Sequence, residues 1–157
     1  MGGSSTGRGL LCVTVSYMPS RQFSARLARS VVERLEKRGA RSGTNRSRLA
    51  ERYIDEGMRM EDHPGVVFRD GPAGRRAGLA GGPDVWEVIA AVRASGLEGA
   101  AALEAAAAGG DLTAAQVQTA VRYYAEYRSE VDERVRQHLD EADEAEEQWR
   151  REQNALA

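Results

Sequence analysis

The side chains with the most suggestive chemistry lie in one short alternating run. Arg21–Leu27 reads Arg-Gln-Phe-Ser-Ala-Arg-Leu. Along a strand, Gln22, Ser24 and Arg26 fall on one face, and Phe23, Ala25 and Leu27 on the other. A glutamine amide can make two hydrogen bonds to adenine, and a guanidinium two to guanine. The same face also reads as the ordinary solvated side of a strand. A second polar group follows at Asn45-Arg46-Ser47-Arg48, where a helix start offers free backbone amides to an anion. Catalytic chemistry finds little support. Cys12, His63 and His138 are far apart in sequence, with no nucleophile–base spacing and no metal-ligand spacing, so no enzyme activity, cofactor or metal is expected.

These residues must be held by local elements. Seven residues with one apolar face are not stable as a lone strand, so the run needs a partner strand. None of matching pattern follows nearby, and the same strand from a second copy is the simplest supply. Val31, Val32 and Leu35 then make a helical stripe. Ser42-Gly43-Thr44-Asn45 is a turn with Thr44 or Asn45 as the next N-cap. A second helix carries Leu49, Ala50, Tyr53, Ile54 and Met58, and Pro64-Gly65 closes it.

Strand, helix, turn and helix within residues 21–60 resemble the ribbon-helix-helix module of dimeric Arc/MetJ/CopG-type repressors and antitoxins. Ala28 departs from the proline that many members carry before the first helix. The resemblance implies a homodimer whose paired strands enter the major groove of double-stranded operator DNA. Gln22, Ser24 and Arg26 would read bases, while Asn45, Arg46, Ser47 and Arg48 would hold phosphates. Phe23, Ala25, Leu27, Val31, Leu35, Leu49, Tyr53 and Ile54 would form the dimer core.

The charge distribution divides the chain. Residues 1–60 carry 12 basic and 5 acidic side chains; residues 61–157 carry 10 and 19. The near-neutral total of -2 therefore joins a basic part to an acidic part, which suggests two different partners. No apolar run approaches the roughly 20 residues of a membrane helix. The lone cysteine fits a reducing, cytoplasmic setting, nucleoid-associated when DNA is bound. Residues 1–20 read as a disordered arm, with Met18 an alternative start to Met1.

Beyond residue 62 the pattern changes. Val66–Arg69 and Arg75–Leu79 read as two short strands around Asp70-Gly71-Pro72-Ala73-Gly74. The glycines lack phosphate-loop spacing, and His63 reads as a loop residue. Asp84 caps a helix burying Val85, Trp86, Val88, Ile89 and Val92. Leu97–Ala108 reads as an alanine-rich helix ended by Gly109-Gly110. Thr113 caps a third, with a stripe at Val117, Ala120/Val121, Tyr124, Tyr127 and Val131. Trp86, Tyr123, Tyr124 and Tyr127 read as core. His63-Pro64, Gly71, Arg75-Arg76, Trp86-Glu87-Val88 and Leu112–Tyr124 resemble a small helix-turn-helix-like domain of unknown function found in antitoxins of PIN-like toxins. That match covers residues 63–131, and the glycine-rich Gly78–Pro83 insert departs from it.

Residues 132–157 read as an acidic helical tail continuing the third helix. Val131, Val135, His138, Ala142, Ala145 and Trp149 follow heptad steps. The tail is either a solvated helix or a segment that folds on a basic partner, with Trp149 as anchor and Arg136, Arg150 and Arg151 beside it. The expected fold is mainly α: a dimeric ribbon-helix-helix with one strand per chain, a hairpin-plus-helices domain and a long C-terminal helix. The resemblances imply an antitoxin and autorepressor that neutralises a PIN-like ribonuclease through its C-terminal region. The alternative is a repressor without a toxin, its second domain sensing a ligand or mediating oligomers.

Overall fold

Helix α1 (Arg29–Ser42) follows from the Val31, Val32 and Leu35 stripe and ends where Gly43 turns left-handed, at φ 63°. Gly39 lies under that turn. A Cβ there would stand 2.5 Å from the Thr44 carbonyl oxygen, so only glycine lets the chain fold back so closely. Asn45 then caps α2 (Arg46–Asp62), its Oδ1 accepting the Arg48 amide at 2.9 Å. The cap satisfies one of the helix's unpaired donors. A computed structural model describes residues 23–72 and 74–155.

Past α2, alternating residues make a two-stranded antiparallel sheet, β1 (Val66–Gly71) and β2 (Gly74–Leu79). Val66 pairs with Leu79 and Phe68 with Ala77, which gathers the apolar side chains on one face. Helix α3 (Val85–Ala94) starts at Asp84, whose backbone amide donates to Glu87 Oε2 at 2.6 Å. Helix α4 (Gly99–Gly110) starts two residues later than the alanine-rich pattern suggests. Gly109 and Gly110 stay helical, and Asp111 takes the left-handed stop instead. Thr113 and Gln116 form a reciprocal capping box at the head of α5 (Ala114–Glu126).

The third helix does not run on into the tail. Tyr127, at φ -111° and ψ 41°, breaks it, and α6 (Arg128–Ala155) sets off afresh. The buried face of α5 also differs from the expected stripe. Tyr123 is fully buried and Tyr124 only half-buried, because the burying face is Val117, Ala120 and Tyr123. A core of Val66, Leu79, Val85, Val88, Ile89, Val117, Ala120, Tyr123 and Val131 joins the sheet to α3, α5 and the root of α6, with Ala106 of α4. Trp86 and Val92 pack against it only in part. His138 stacks on Trp86 at 4.7 Å. Beyond it α6 is exposed along its length, and its 28 residues span about 42 Å. The described residues are thus mainly helical, with one small sheet, and none of their helices is long and apolar enough to cross a membrane.

Candidate nucleic-acid interface

Gln22 lies outside the described residues, as do the arm at 1–20 and Cys12. Ser24 and Arg26 are exposed, and Phe23–Ala28 carries no regular secondary structure. The strand expected over 21–27 is therefore not formed by the described part of the single chain. A strand exists only through hydrogen bonds to a neighbour, and the described residues offer none here.

The eight side chains expected in the dimer core divide sharply. Leu49 is buried between α1 and α2. Val31, Leu35 and Tyr53 are half-buried, and Ala25 is exposed. Phe23, Leu27 and Ile54 are 81%, 51% and 55% exposed. Val31, Leu35 and Tyr53, with Arg34 and Arg38, line an open recess of about 350 Å³ between the helices. The apolar face of this helix pair is left uncovered by the described residues.

Asn45, Arg46, Ser47 and Arg48 come together, all exposed, at the head of α2. Two of them already have work within the fold. The Asn45 oxygen is spent on the helix cap, and Arg46 Nη1 pairs with Glu36 Oε1 at 2.8 Å. An exposed pair of this kind is worth about 0–1 kcal/mol, so a phosphate can take Arg46 from Glu36 at little cost. Lys37, Arg38 and Arg41 add exposed cations on α1.

Of the residues expected to meet a protein partner, Arg136 pairs with Glu133 and Arg150 with Glu146 on the same helix. Trp149 is 59% exposed, and Arg151 is exposed. The heptad stripe splits: Val131 is buried and His138 stacks on Trp86, while Ala142, Ala145 and Trp149 meet solvent.

A set of buried charges behind α2 was missed by reading along the chain. Glu56, 6% exposed, takes a two-pronged pair from Arg75, at 2.5 and 2.7 Å. The hydrogen bond to Glu56 raises the Arg75 pKa against its burial. Asp84, 2% exposed, accepts from Arg69 at 2.7 Å and from Arg76. Burial alone would raise the Asp84 pKa; the two arginines outweigh it and hold the pKa below the usual carboxylate value. Arg69 reaches Asp84 across Gly78, where a Cβ would sit 2.8 Å from the guanidinium. His63 lies in the connection between α2 and β1, as expected, but it is buried. It is 5% exposed, sits 5.3 and 5.8 Å from the Tyr123 and Tyr127 rings, and places Nε2 3.3 Å from Glu126 Oε2. The Arg75-Arg76 pair inside a strand was the visible hint, since adjacent cations on opposite strand faces each need a separate carboxylate. No family model, curated protein or solved structure matches the chain.

Proposed function

We propose that the N-terminal region binds double-stranded operator DNA as a homodimer, and that the acidic C-terminal region binds a partner protein. The observation that carries the reading is that the helix pair leaves apolar side chains exposed and also carries a cationic helix start. Phe23, Leu27 and Ile54 stand exposed, and Asn45–Arg48 are exposed at the head of α2. A second copy would cover the apolar face and pair the two strands, which would project Gln22, Ser24 and Arg26 into a major groove. On this reading the protein is an antitoxin and autorepressor, and the partner is a PIN-like ribonuclease toxin. The last step rests on the resemblance of residues 63–131, together with the surplus of acids on the exposed part of α6.

The test separates base reading from phosphate holding. Arg26→Ala should relax base preference, with about 1–3 kcal/mol of discrimination lost at one position. Arg46→Ala should weaken all sequences alike and lower the salt slope by about one. Gel-shift titrations at several salt concentrations read both. An Arg26→Ala protein with unchanged affinity and preference would overturn the DNA reading. For the partner, the chain should be cut after Glu141, because Val131 is buried in the core and Glu130 accepts a hydrogen bond from Tyr123. The cut protein should keep its DNA affinity and lose neutralisation of a toxin encoded by a neighbouring reading frame.

The repressor without a toxin is favoured by one feature. A groove of about 190 Å³ between the hairpin turn, α3 and α6 is lined by Arg76, Trp86, Arg134 and His138 among others. A ligand that raises DNA affinity in the protein cut after Glu141 would support that alternative.

A further inference from the structure

Two surfaces of this chain face solvent unmatched, and they complement each other. The first is the recess between α1 and α2, with a floor of Val31, Leu35 and Tyr53 and a rim of Arg34 and Arg38. Arg34 donates to the Ser30 carbonyl at 3.3 Å, and neither arginine pairs with a carboxylate among the described residues. By contrast, Arg59, Arg69, Arg75, Arg76 and Arg93 each hold one. Helix α1 as a whole carries five basic and two acidic side chains.

The second surface is the part of α6 beyond His138, where Leu139 and Trp149 stand 58% and 59% exposed. At about 100° per residue, Leu139, Ala142, Ala145 and Trp149 fall within about a third of the helix circumference. Asp143 and Glu146 border this stripe on one side, Glu141 and Glu152 on the other. Residues 139–155 hold seven acidic and two basic side chains. An apolar stripe edged by carboxylates fits an apolar floor edged by guanidiniums. Pairing of α6 with another α6 would instead set rows of carboxylates against each other, which is unfavourable. Helix α6 is unbroken, and beyond its root it packs on neither α1 nor α2 of its own chain.

We propose that the outer part of α6 docks in the α1–α2 recess of a second copy of this chain. Trp149 lies on the apolar floor, and Glu146 and Glu152 face Arg34 and Arg38. Glu146 gives up only an exposed pair with Arg150 on its own helix, at little cost. The proposal rests on the reading that a second copy covers this apolar face. It names α6 as the part that does so while the two strands are unpaired. Two such contacts made reciprocally close a two-fold dimer. Each rests on one aromatic anchor and exposed ion pairs, so it is weak. At the dilution of a gel shift it is open, and the chain cut after Glu141 binds DNA as the full chain does.

The test mixes two forms of the full chain without DNA. One is isotope-labelled for NMR. The other carries Cys12→Ser and Gln148→Cys, with a nitroxide on the new thiol. The expected result is broadening of the Val31 and Leu35 amide signals in the labelled copies. It should be largely lost when salt rises to about 1 M, where charges more than about 3 Å apart are screened. Trp149→Ala on the nitroxide chain, or Arg34→Glu with Arg38→Glu on the labelled chain, should each abolish it. All three positions are exposed or at an open rim, so the fold should survive the changes. No broadening on α1, or broadening that survives both variants, overturns the proposal. Phe23→Glu, aimed at strand pairing, should leave the broadening in place, which separates this contact from the strand-paired dimer. Failure here leaves the Arg26→Ala test of DNA reading untouched, and failure of that test leaves the α6 contact untouched.

Discussion

The two halves of this chain meet the same physical demand in opposite ways. Between β1 and the root of α6, apolar side chains from six elements close on each other, and Leu79, Val85, Val117 and Tyr123 are almost wholly removed from water. The α1–α2 pair buries one large apolar side chain, Leu49, and leaves Phe23, Leu27, Ile54 and Met58 half or more exposed. Each half has a side-chain-capped helix, α2 at Asn45 and α5 at Thr113, and one without such a cap, α1 and α4, so capping does not separate them. What separates them is the number of elements available to cover each apolar stripe. Two helices by themselves enclose little core, and on the dimer reading proposed above a second copy supplies the cover. The two regions are joined within one chain through the Glu56–Arg75 and Arg59–Glu130 pairs.

The comparison breaks most visibly at Tyr123. Tyr123→Ala removes a fully buried ring and the partner of Arg59 and Glu130. It should cost about 3–5 kcal/mol, by urea titration at any protein concentration. A loss below about 1 kcal/mol would mean that the second region is not the self-sufficient one.

Asp84→Asn should cost about 3 kcal/mol, since Arg69 and Arg76 would lose the charge that balances them. The pH dependence has a definite sign. The folded-state pKa of Asp84 lies below its unfolded value of about 3.9. Its contribution is therefore complete above pH ~5, and is lost as pH falls through the folded pKa. Stability measured from pH 7 down to pH 2 should fall more steeply in the wild type than in Asp84→Asn.

Phe23→Glu sharpens the contrast from the other side. It should weaken self-association by about 2 kcal/mol per chain, read by sedimentation equilibrium, while the unfolding of the second region stays unchanged. A wild-type protein that is monomeric at every accessible concentration would remove the need for a second copy. The smallest effect expected is at Asn45→Ala. Loss of the cap should cost about 1 kcal/mol and fray the head of α2, seen as faster amide exchange at Ser47 and Arg48.

Much of the local structure was legible before any coordinates. The caps at Asn45, Asp84 and Thr113 and the hairpin around Gly71 follow from residues within four positions of each other. Each is a short-range choice between backbone states, and a side-chain oxygen or a glycine decides it. The candidate DNA contacts were legible in the same way, because Asn45–Arg48 sit at a helix head that the sequence marks. The Gln22, Ser24 and Arg26 face was legible only as a pattern, and no strand forms over the described residues 23–28.

Sequence alone determined the capped starts of α2, α3 and α5 and which segments are basic or acidic. Only the tertiary structure decided that α5 breaks at Tyr127, that Tyr123 rather than Tyr124 turns inward, and that Arg59 meets Glu130 across 71 positions. The physical reason is range. A cap is settled by neighbours along the chain, but a buried charge finds its counter-charge only after packing has fixed which surfaces meet.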